Sequence, residues 1–208
     1  MSRAPALFRL ACRCGGNVVL ALLWVKVAVD AYHRWANTGS LILLGLVAFN
    51  TLLVGVTIAR RPSLSTSTRV RDWAAAIVTM ALPIMFRPGE WQHPVGHAVG
   101  SGLQGVGLMI MVGALTSLGT SFGIVAANRG IKRSGAYRWV RHPLYAGELI
   151  FFTGFLLTNL SPYNVVPWYG IVCGLVLRAW VEEHHLGQDP EYRAYRKVVA
   201  YRFFPGLF

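Results

Sequence analysis

The side chains best suited to chemistry lie in one polar segment that directly precedes an apolar run. The segment reads Gly135-Ala136-Tyr137-Arg138-Trp139-Val140-Arg141-His142-Pro143-Leu144-Tyr145-Ala146-Gly147-Glu148. Pro143 fits the first turn of a helix, where its missing N–H removes no hydrogen bond. The free N–H groups and positive dipole end of such a helix favour a carboxylate, a phosphate or an anionic intermediate. The alternative is that Arg138, Arg141 and Tyr145 only anchor the helix among lipid headgroups.

A second polar cluster ends the next apolar run and contains Arg178, Glu182, Glu183, His184 and His185. Arg178 and Glu182 are four residues apart and can pair along one helix face, whereas Glu183 points about 100° away. Two adjacent carboxylates at the end of an apolar helix are costly unless they are solvated, paired or bound to a cationic ligand. If both apolar runs span a membrane, the two clusters meet on one side and form a site between two helices.

The composition predicts a membrane protein. The chain has 208 residues, of which 54% are hydrophobic and 13% are charged, whereas about a quarter of the residues in soluble domains are charged. We therefore expect an all-α fold, a polytopic transmembrane helical bundle that forms a single integral membrane domain over residues 1–208. The net charge is +12, but the basic residues cluster between apolar runs, which indicates membrane topology and anionic lipids and no nucleic-acid partner.

About six spans are predicted, with five as the alternative because the first is weak. They are Asn17–Tyr32, Leu41–Ala59, Trp73–Phe86, Val95–Leu118, Leu144–Leu160 and Tyr163–Val181. Lys26 and Asp30 fall inside the first run and can form an ion pair four residues apart. Pro83 is expected to kink the end of the third. The first four spans occupy residues 1–118, and residues 119–208 hold the cofactor-binding and catalytic part.

The distribution of basic residues predicts the orientation. Lys and Arg concentrate before the first run, in the loops after the second and fourth runs, and in the tail. Both termini and the site are therefore expected to face the cytosol. Cys12, Cys14 and Cys173 are an odd number without the four ligands of a structural metal site, so we expect three free thiols and no metal.

Two further segments accompany the site. The stretch from Leu118 to Gly147 is too long for a turn and is not composed like a disordered tract, which is typical of a functional loop. After the second cluster, Tyr192, Tyr195 and Val199 recur at helical spacing and predict a short helix. The aromatic and basic segment that follows is expected to lie along the membrane interface or over a pocket.

At these residues the chain resembles the isoprenylcysteine carboxyl methyltransferase and phospholipid methyltransferase group of integral membrane enzymes. The family pattern is Gly-Pro-Tyr-Arg-x-x-Arg-His-Pro-x-Tyr-x-Gly, then a helix ending in Arg-x-x-x-Glu-Glu, then Tyr-x-x-Tyr and Arg-x-x-Pro. This chain matches the pattern at residues 135–147, 178–183, 192–195 and 202–205. It departs from the pattern in Ala136, where the family has Pro, and in a shorter segment before Tyr192 that lacks a Phe-Gly pair. The cofactor lid and the substrate class therefore stay open.

The resemblance implies S-adenosylmethionine as the methyl donor, with S-adenosylhomocysteine as the product, and an acceptor that enters from the bilayer. The acceptor would be an isoprenoid or prenylcysteine carboxylate, or a lipid. A carboxylate acceptor is already nucleophilic, whereas an amine must lose a proton, for which a nearby Glu would matter. The residues implied as catalytic are Arg141, Glu183 and Arg202. Those implied as cofactor-binding are Tyr137, His142, Pro143, Tyr145, Gly147, Glu182, Glu183 and Tyr195.

Two other classes compete with this interpretation. Integral membrane sterol and steroid reductases, which use NADPH, carry a similar Arg-His-x-x-Tyr-x-Gly segment and an ending similar to residues 201–205. Pro143 and the Glu182–Glu183 pair fit the methyltransferases better. A non-enzymatic partner protein or small transporter is the third class, but a transporter would place polar groups at the membrane midplane. Apart from Lys26 and Asp30, the polar groups here lie at the cytosolic rim.

Overall fold

The computed structural model describes residues 4–89 and 93–206, with side chains described from residue 15 onward. The chain divides into two compact units, Met1–Arg60 and Arg61–Phe208. The functional division between residues 118 and 119 stays a prediction. Cys173 is a free, exposed thiol, as expected. The predicted thiols of Cys12 and Cys14 lie outside the described side chains.

The first unit is a pair of packed helices, α1 (Ala4–Thr38) and α2 (Leu41–Ala59). Gly39 has a φ of 67°, a left-handed conformation that glycine adopts without steric cost, and it reverses the chain between the two helices. The predicted ion pair between Lys26 and Asp30 is confirmed on the exposed surface of α1. Helix α1 is longer at both ends than the predicted first run.

The second unit contains both predicted polar clusters. Its elements are β1 (Ser65–Thr66), α3 (Val70–Ala81), β2 (Ala127–Asn128) and the helices α4 (Pro94–Leu118), α5 (Pro143–Thr158), α6 (Pro162–Leu186) and α7 (Pro190–Val198). The two short strands pair antiparallel, with Ser65 opposite Asn128. Each of the helices α4 to α7 begins with a proline, which fits the first turn because it needs no N–H partner there.

The all-α polytopic class is confirmed, and the third predicted span is interrupted near its end instead of forming one continuous α-helix. Within the described residues, four helical segments are long and apolar enough to cross a membrane: Gly15–Thr38, Leu41–Ala59, Pro94–Ser121 and Pro162–Leu186. Helix α5 is apolar but shorter, with 16 residues. Helix α3 has 12 residues and gives way to a 3-10 turn at Leu82. The turn contains Pro83, which lacks the N–H that an α-helix needs.

Glycines bring α4 and α5 into close contact. A Cβ on Gly154 would clash with the carbonyl oxygen of Gly100, and a Cβ on Gly107 would lie 2.7 Å from that of Gly147. Both contacts are with backbone, which cannot move aside. The helices therefore approach through small residues, as is typical of packing inside membranes.

Helices α5 and α6 are consecutive and joined by a short turn, so the start of α5 lies beside the end of α6. Asn164 fixes this turn from a fully buried position. Its side-chain amide donates to the carbonyl oxygens of Asn159 and Arg87, at 2.6 Å and 2.9 Å, and accepts from the backbone N–H of Arg87 at 3.1 Å. The hairpin therefore brings the polar residues around Pro143 to those around Glu183.

Candidate functional site

A buried ion cluster centred on Glu183 joins the start of α5 to the end of α6. Glu183 is 4% exposed. Arg141 Nε donates to its Oε1 at 2.8 Å, and Arg202 Nε donates to its Oε2 at 3.2 Å. His142 Nε2 lies 3.2 Å from Oε1. Both carboxylate oxygens are therefore engaged, which compensates the desolvation of the charge.

Arg141 and His142 also bind residues 199–205, which we name the C-terminal segment. The backbone N–H groups of Arg141 and His142 donate to the carbonyl oxygens of Tyr201 and Arg202, at 3.0 Å and 2.8 Å. The Arg141 guanidinium also donates to the carbonyl oxygens of Val199 and Ala200, at 2.8 Å and 2.5 Å. Arg141 therefore ties the C-terminal segment to the residues that start α5.

Tyr145 connects the second polar cluster to the first. Its ring stacks on His142 with 5.4 Å between ring centres, and its hydroxyl donates to Glu182 Oε2 at 3.0 Å. The Arg178 guanidinium lies 4.9 Å from the centre of the same ring and donates to the carbonyl oxygen of Ile124 at 3.1 Å. Arg178 and Glu182, predicted to pair along α6, are thus bridged through Tyr145.

A cavity of about 50 Å³ lies beside the ion cluster, between the loop after α4 and the ends of α6 and α7. Its lining residues are Leu118, Ser121, Ala127, Arg129, Gly130, Ile131, Lys132, Tyr137, Arg141, His142, Glu182, Leu186, Tyr192 and Tyr195. Five of the residues predicted for the site are in this lining. Glu183, Arg202 and Tyr145 contact lining residues without being part of the wall, and Pro143 begins the helix behind it.

Gly147 stands apart from the cavity. A Cβ at this position would come within 2.7 Å of Met111 Cγ and 2.9 Å of the carbonyl oxygen of Gly107. Its observed contact is therefore with α4, and its predicted contact with the cofactor has no counterpart in the lining.

Three buried tyrosines form one wall of the cavity. The Tyr195 hydroxyl donates to the carbonyl oxygen of Tyr137 at 2.6 Å. Among the described residues, the buried Tyr192 hydroxyl has no hydrogen-bond partner. Burial raises the pKa of Tyr195 to about 12 and raises the pKa of Tyr137 and Tyr192 above the usual range. All three hydroxyls therefore stay protonated at neutral pH. The Tyr192 hydroxyl is an unsatisfied hydrogen-bond donor among the described residues.

The lining residues that sequence reasoning missed include Arg129, Lys132 and Tyr192. Tyr192 belongs to the Tyr-x-x-Tyr spacing, which predicts a helix but no role in the site. Membrane topology alone accounts for the two basic residues in the sequence. The signal that could have found them is that they lie in the long loop, whose composition already indicated a function.

Two side-chain contacts join the loop after α4 to the start of α7. Asn128 Nδ2 donates to Asp189 Oδ2 at 2.6 Å. Arg133 donates to the carbonyl oxygen of Glu191 at 3.0 Å and lies 3.3 Å from its carboxylate. The second contact is exposed, so it holds the wall with little energy.

Comparison with protein families supports a membrane methyltransferase as the class of this protein. Residues 95–189 match the family model of phospholipid methyltransferases, which confirms the resemblance described from the sequence. The matched residues run from α4 to the turn before α7 and include the first polar segment and the Glu182–Glu183 pair. Tyr192, Tyr195 and the C-terminal segment lie beyond them. No curated protein gives a match to the chain.

Proposed function

We propose that the protein transfers a methyl group from S-adenosylmethionine to a lipophilic acceptor at the cytosolic boundary of the membrane. The observation that carries this proposal is the buried Tyr192 hydroxyl, a donor without a partner among the described residues, in the wall of a cavity beside residues that match the phospholipid methyltransferase family. An orphaned buried donor is costly unless a ligand or a water satisfies it. A polar ligand in the cavity would supply the hydrogen-bond acceptor for this hydroxyl.

The charges in the lining fit the amino-acid part of the cofactor. Arg129 and Lys132 offer cations to its carboxylate, and Glu182 offers an anion to its ammonium or ribose hydroxyl groups. The volume of about 50 Å³ is small for the whole cofactor, so the amino-acid part is the end that this lining suits best.

The residues of the ion cluster divide into two roles. When bound, the sulfonium of the cofactor supplies the reactive methyl group, and the protein orients the two reactants. Glu183 is a positioning residue, because both of its oxygens are already engaged by Arg141, His142 and Arg202. Glu182 is the carboxylate that faces the cavity, with one oxygen held by Tyr145. For an amine acceptor, Glu182 is therefore the group available to take the proton.

The acceptor class that we propose is a lipid, an isoprenoid or a prenylcysteine carboxylate that reaches the cavity from the bilayer. The apolar helices α4, α5 and α6 surround the site, and the matched family model is that of phospholipid methyltransferases. We place the cavity on the cytosolic side, together with both termini, on the basis of the Lys and Arg distribution.

The test is ligand-dependent thermal stability of the detergent-purified protein with S-adenosylmethionine, S-adenosylhomocysteine and NADPH. A ligand that binds only the native state raises the thermal midpoint. We expect a saturable rise with the two adenosyl ligands and none with NADPH. A rise in the thermal midpoint with NADPH alone would contradict the proposal in favour of a reductase. No rise with any of the three ligands would also contradict it.

A further inference from the structure

The larger cavity of the second unit lies away from the ion cluster and has no part in the proposed function. Its volume is about 200 Å³, against about 50 Å³ for the cavity beside the ion cluster. It is bounded by the residues between β1 and the first turn of α3 and by the last turns of α6. The lining consists of Thr66, Ser67, Thr68, Arg69, Arg71, Asp72, Trp180, Val181, His184, His185 and Gln188. We name it the α3–α6 cavity.

Helix α6 separates the two cavities because its residues point in different directions. Val181, His184 and His185 are three and four residues apart and share one face, which lines the α3–α6 cavity. Glu182 and Leu186 share another face and line the cavity beside the ion cluster. The two cavities therefore have no lining residue in common.

The α3–α6 cavity has an excess of positive charge. Arg69 and Arg71 carry two guanidinium groups against the single carboxylate of Asp72. Helix α3 begins at Val70, so its positive dipole end lies at the same wall. His184 stacks on Trp180 with 5.8 Å between ring centres, and His185 Nε2 lies 3.0 Å from Ser65 Oγ. Guanidinium groups and a helix start together favour a phosphate.

Asp72 requires that a ligand of this cavity also carry a hydrogen-bond donor. Its side chain is 5% exposed, its Oδ2 accepts from Ser67 Oγ, and its Oδ1 lies 3.5 Å from Arg71 Nε. Among the described residues, Oδ1 has no hydrogen-bond partner. A buried carboxylate oxygen needs a donor. A ligand ammonium would bring a third cation beside two guanidiniums, whereas a hydroxyl group would donate without adding charge.

We infer that the α3–α6 cavity binds a phosphate ester of a polyol, with the phosphate at Arg69 and Arg71 and a hydroxyl group donating to Asp72. The volume of about 200 Å³ suits a phosphate with a short polyol. The ligand is therefore the headgroup of an anionic phospholipid or a soluble polyol phosphate. The position at the end of α6, an apolar helix of spanning length, is within reach of lipid headgroups.

The test compares three probes on the detergent-purified full chain by thermal stability. They are dihexanoyl-phosphatidylglycerol, dihexanoyl-phosphatidylmethanol, which has the same charge but no hydroxyl group, and glycerol 3-phosphate. We expect a saturable rise with the glycerol lipid at a concentration about tenfold lower than with the methanol lipid, as one hydrogen bond to a charged group requires. If glycerol 3-phosphate raises the thermal midpoint at the same concentration as the glycerol lipid, the ligand is a soluble polyol phosphate. If the lipid acts at a lower concentration, the ligand is a lipid headgroup. Equal effects of the two lipids, or no saturable rise, would overturn the inference.

Two variants and a control locate the binding. Arg69→Gln is expected to weaken the phosphatidylglycerol effect about tenfold, whereas Arg196→Gln, an exposed arginine on α7 outside the lining, leaves it unchanged. Asp72→Asn keeps the phosphate contacts and removes the preference for the glycerol lipid over the methanol lipid. Neither Arg69 nor Asp72 lines the cavity beside the ion cluster, so adenosyl-ligand binding stays normal in both. Full retention of the lipid effect and its preference in these variants would place the binding elsewhere and refute the site.

Discussion

At the scale of single residues, Glu183 is the group on which the ion cluster depends. It accepts hydrogen bonds from two arginines, and one of these, Arg141, also holds the C-terminal segment. Removing one partner of a buried ion pair leaves the other charge uncompensated, which is more costly than the pair itself is favourable.

Glu183→Gln keeps the shape of the side chain and removes its charge. We expect a loss of about 3 kcal/mol in stability, because Arg141 and Arg202 would then face a neutral amide in a buried place. The measurement is the thermal midpoint of the purified protein, with loss of methyl transfer at temperatures where the variant is folded. The control is Glu191→Gln, which breaks an exposed pair and should cost less than about 1 kcal/mol. Equal stability of the two variants would show that the cluster is not structural.

Tyr192 and Tyr195 form a matched pair for separating binding from stability. Tyr192→Phe removes a hydroxyl without a partner among the described residues, so the protein should lose no stability. Its affinity for S-adenosylhomocysteine should fall about tenfold. Tyr195→Phe breaks the bond to the carbonyl oxygen of Tyr137 and should lower stability by about 1–2 kcal/mol. Thermal unfolding and calorimetric titration measure the two effects, and an unchanged affinity in Tyr192→Phe would exclude this hydroxyl from the cofactor site.

At the scale of the elements, the close contact between α4 and α5 holds in place the helix that follows the first polar segment. Gly107 and Gly105 lie on α4, yet only Gly107 faces α5. A Cβ at Gly107 would lie 2.6 Å from the backbone nitrogen of Phe151, whereas nothing lies within 4 Å of a Cβ at Gly105.

Gly107→Ala should therefore destabilise the protein by about 1–3 kcal/mol, because the backbone of α5 would have to shift. Gly105→Ala should be neutral or stabilising by up to about 1 kcal/mol, since alanine favours the helix. Thermal midpoints in the same detergent make the comparison. A smaller effect for Gly107→Ala than for Gly105→Ala would contradict the described packing.

The sequence predicts the elements of the site better than their contacts. Pro143 marks the start of α5, and the spacing of Tyr192 and Tyr195 predicts α7, because both signals are local. The bonds from Arg141 to the C-terminal segment are not local. Main-chain carbonyl oxygens occur at every residue, so no pattern of side chains indicates which ones an arginine 58 residues away will meet. The same reason hides the α3–α6 cavity, whose two walls lie more than 100 residues apart.

At the scale of the whole molecule, apolar content predicts the class but not which runs form one uninterrupted helix. The runs that became α2, α4 and α6 combine apolar composition with uninterrupted helix. The run that became α3 is apolar but ends at the 3-10 turn containing Pro83, which leaves 12 helical residues. Such a helix is about 18 Å long at 1.5 Å per residue, shorter than the roughly 30 Å of a bilayer core. The segment continues through the 3-10 turn to Arg87, which bonds Asn164 at the start of α6, so the third run still extends along α6.

The proposed orientation is tested by thiol labelling in sealed vesicles. In a variant without native cysteines, Lys132→Cys lies in the basic loop and Ser161→Cys lies in the turn between α5 and α6. We expect an impermeant reagent to label the first only from the cytosolic side and the second only from the opposite side, because basic loops stay in the cytosol. Labelling of both from one side would refute the topology.

The adjacency of Glu182 and Glu183 has a consequence for how α6 sits in lipid. Apolar surface alone does not fix the rotation of a helix in lipid, since lipid tails and leucine side chains are equally apolar. A turn of about 100°, one residue, would carry the carboxylate of Glu183 out of its arginine clamp and toward hydrocarbon. The ion cluster thus restricts rotation of α6 about its axis. With Glu183 held by the two arginines, Glu182 lines one cavity and His184 lines the other.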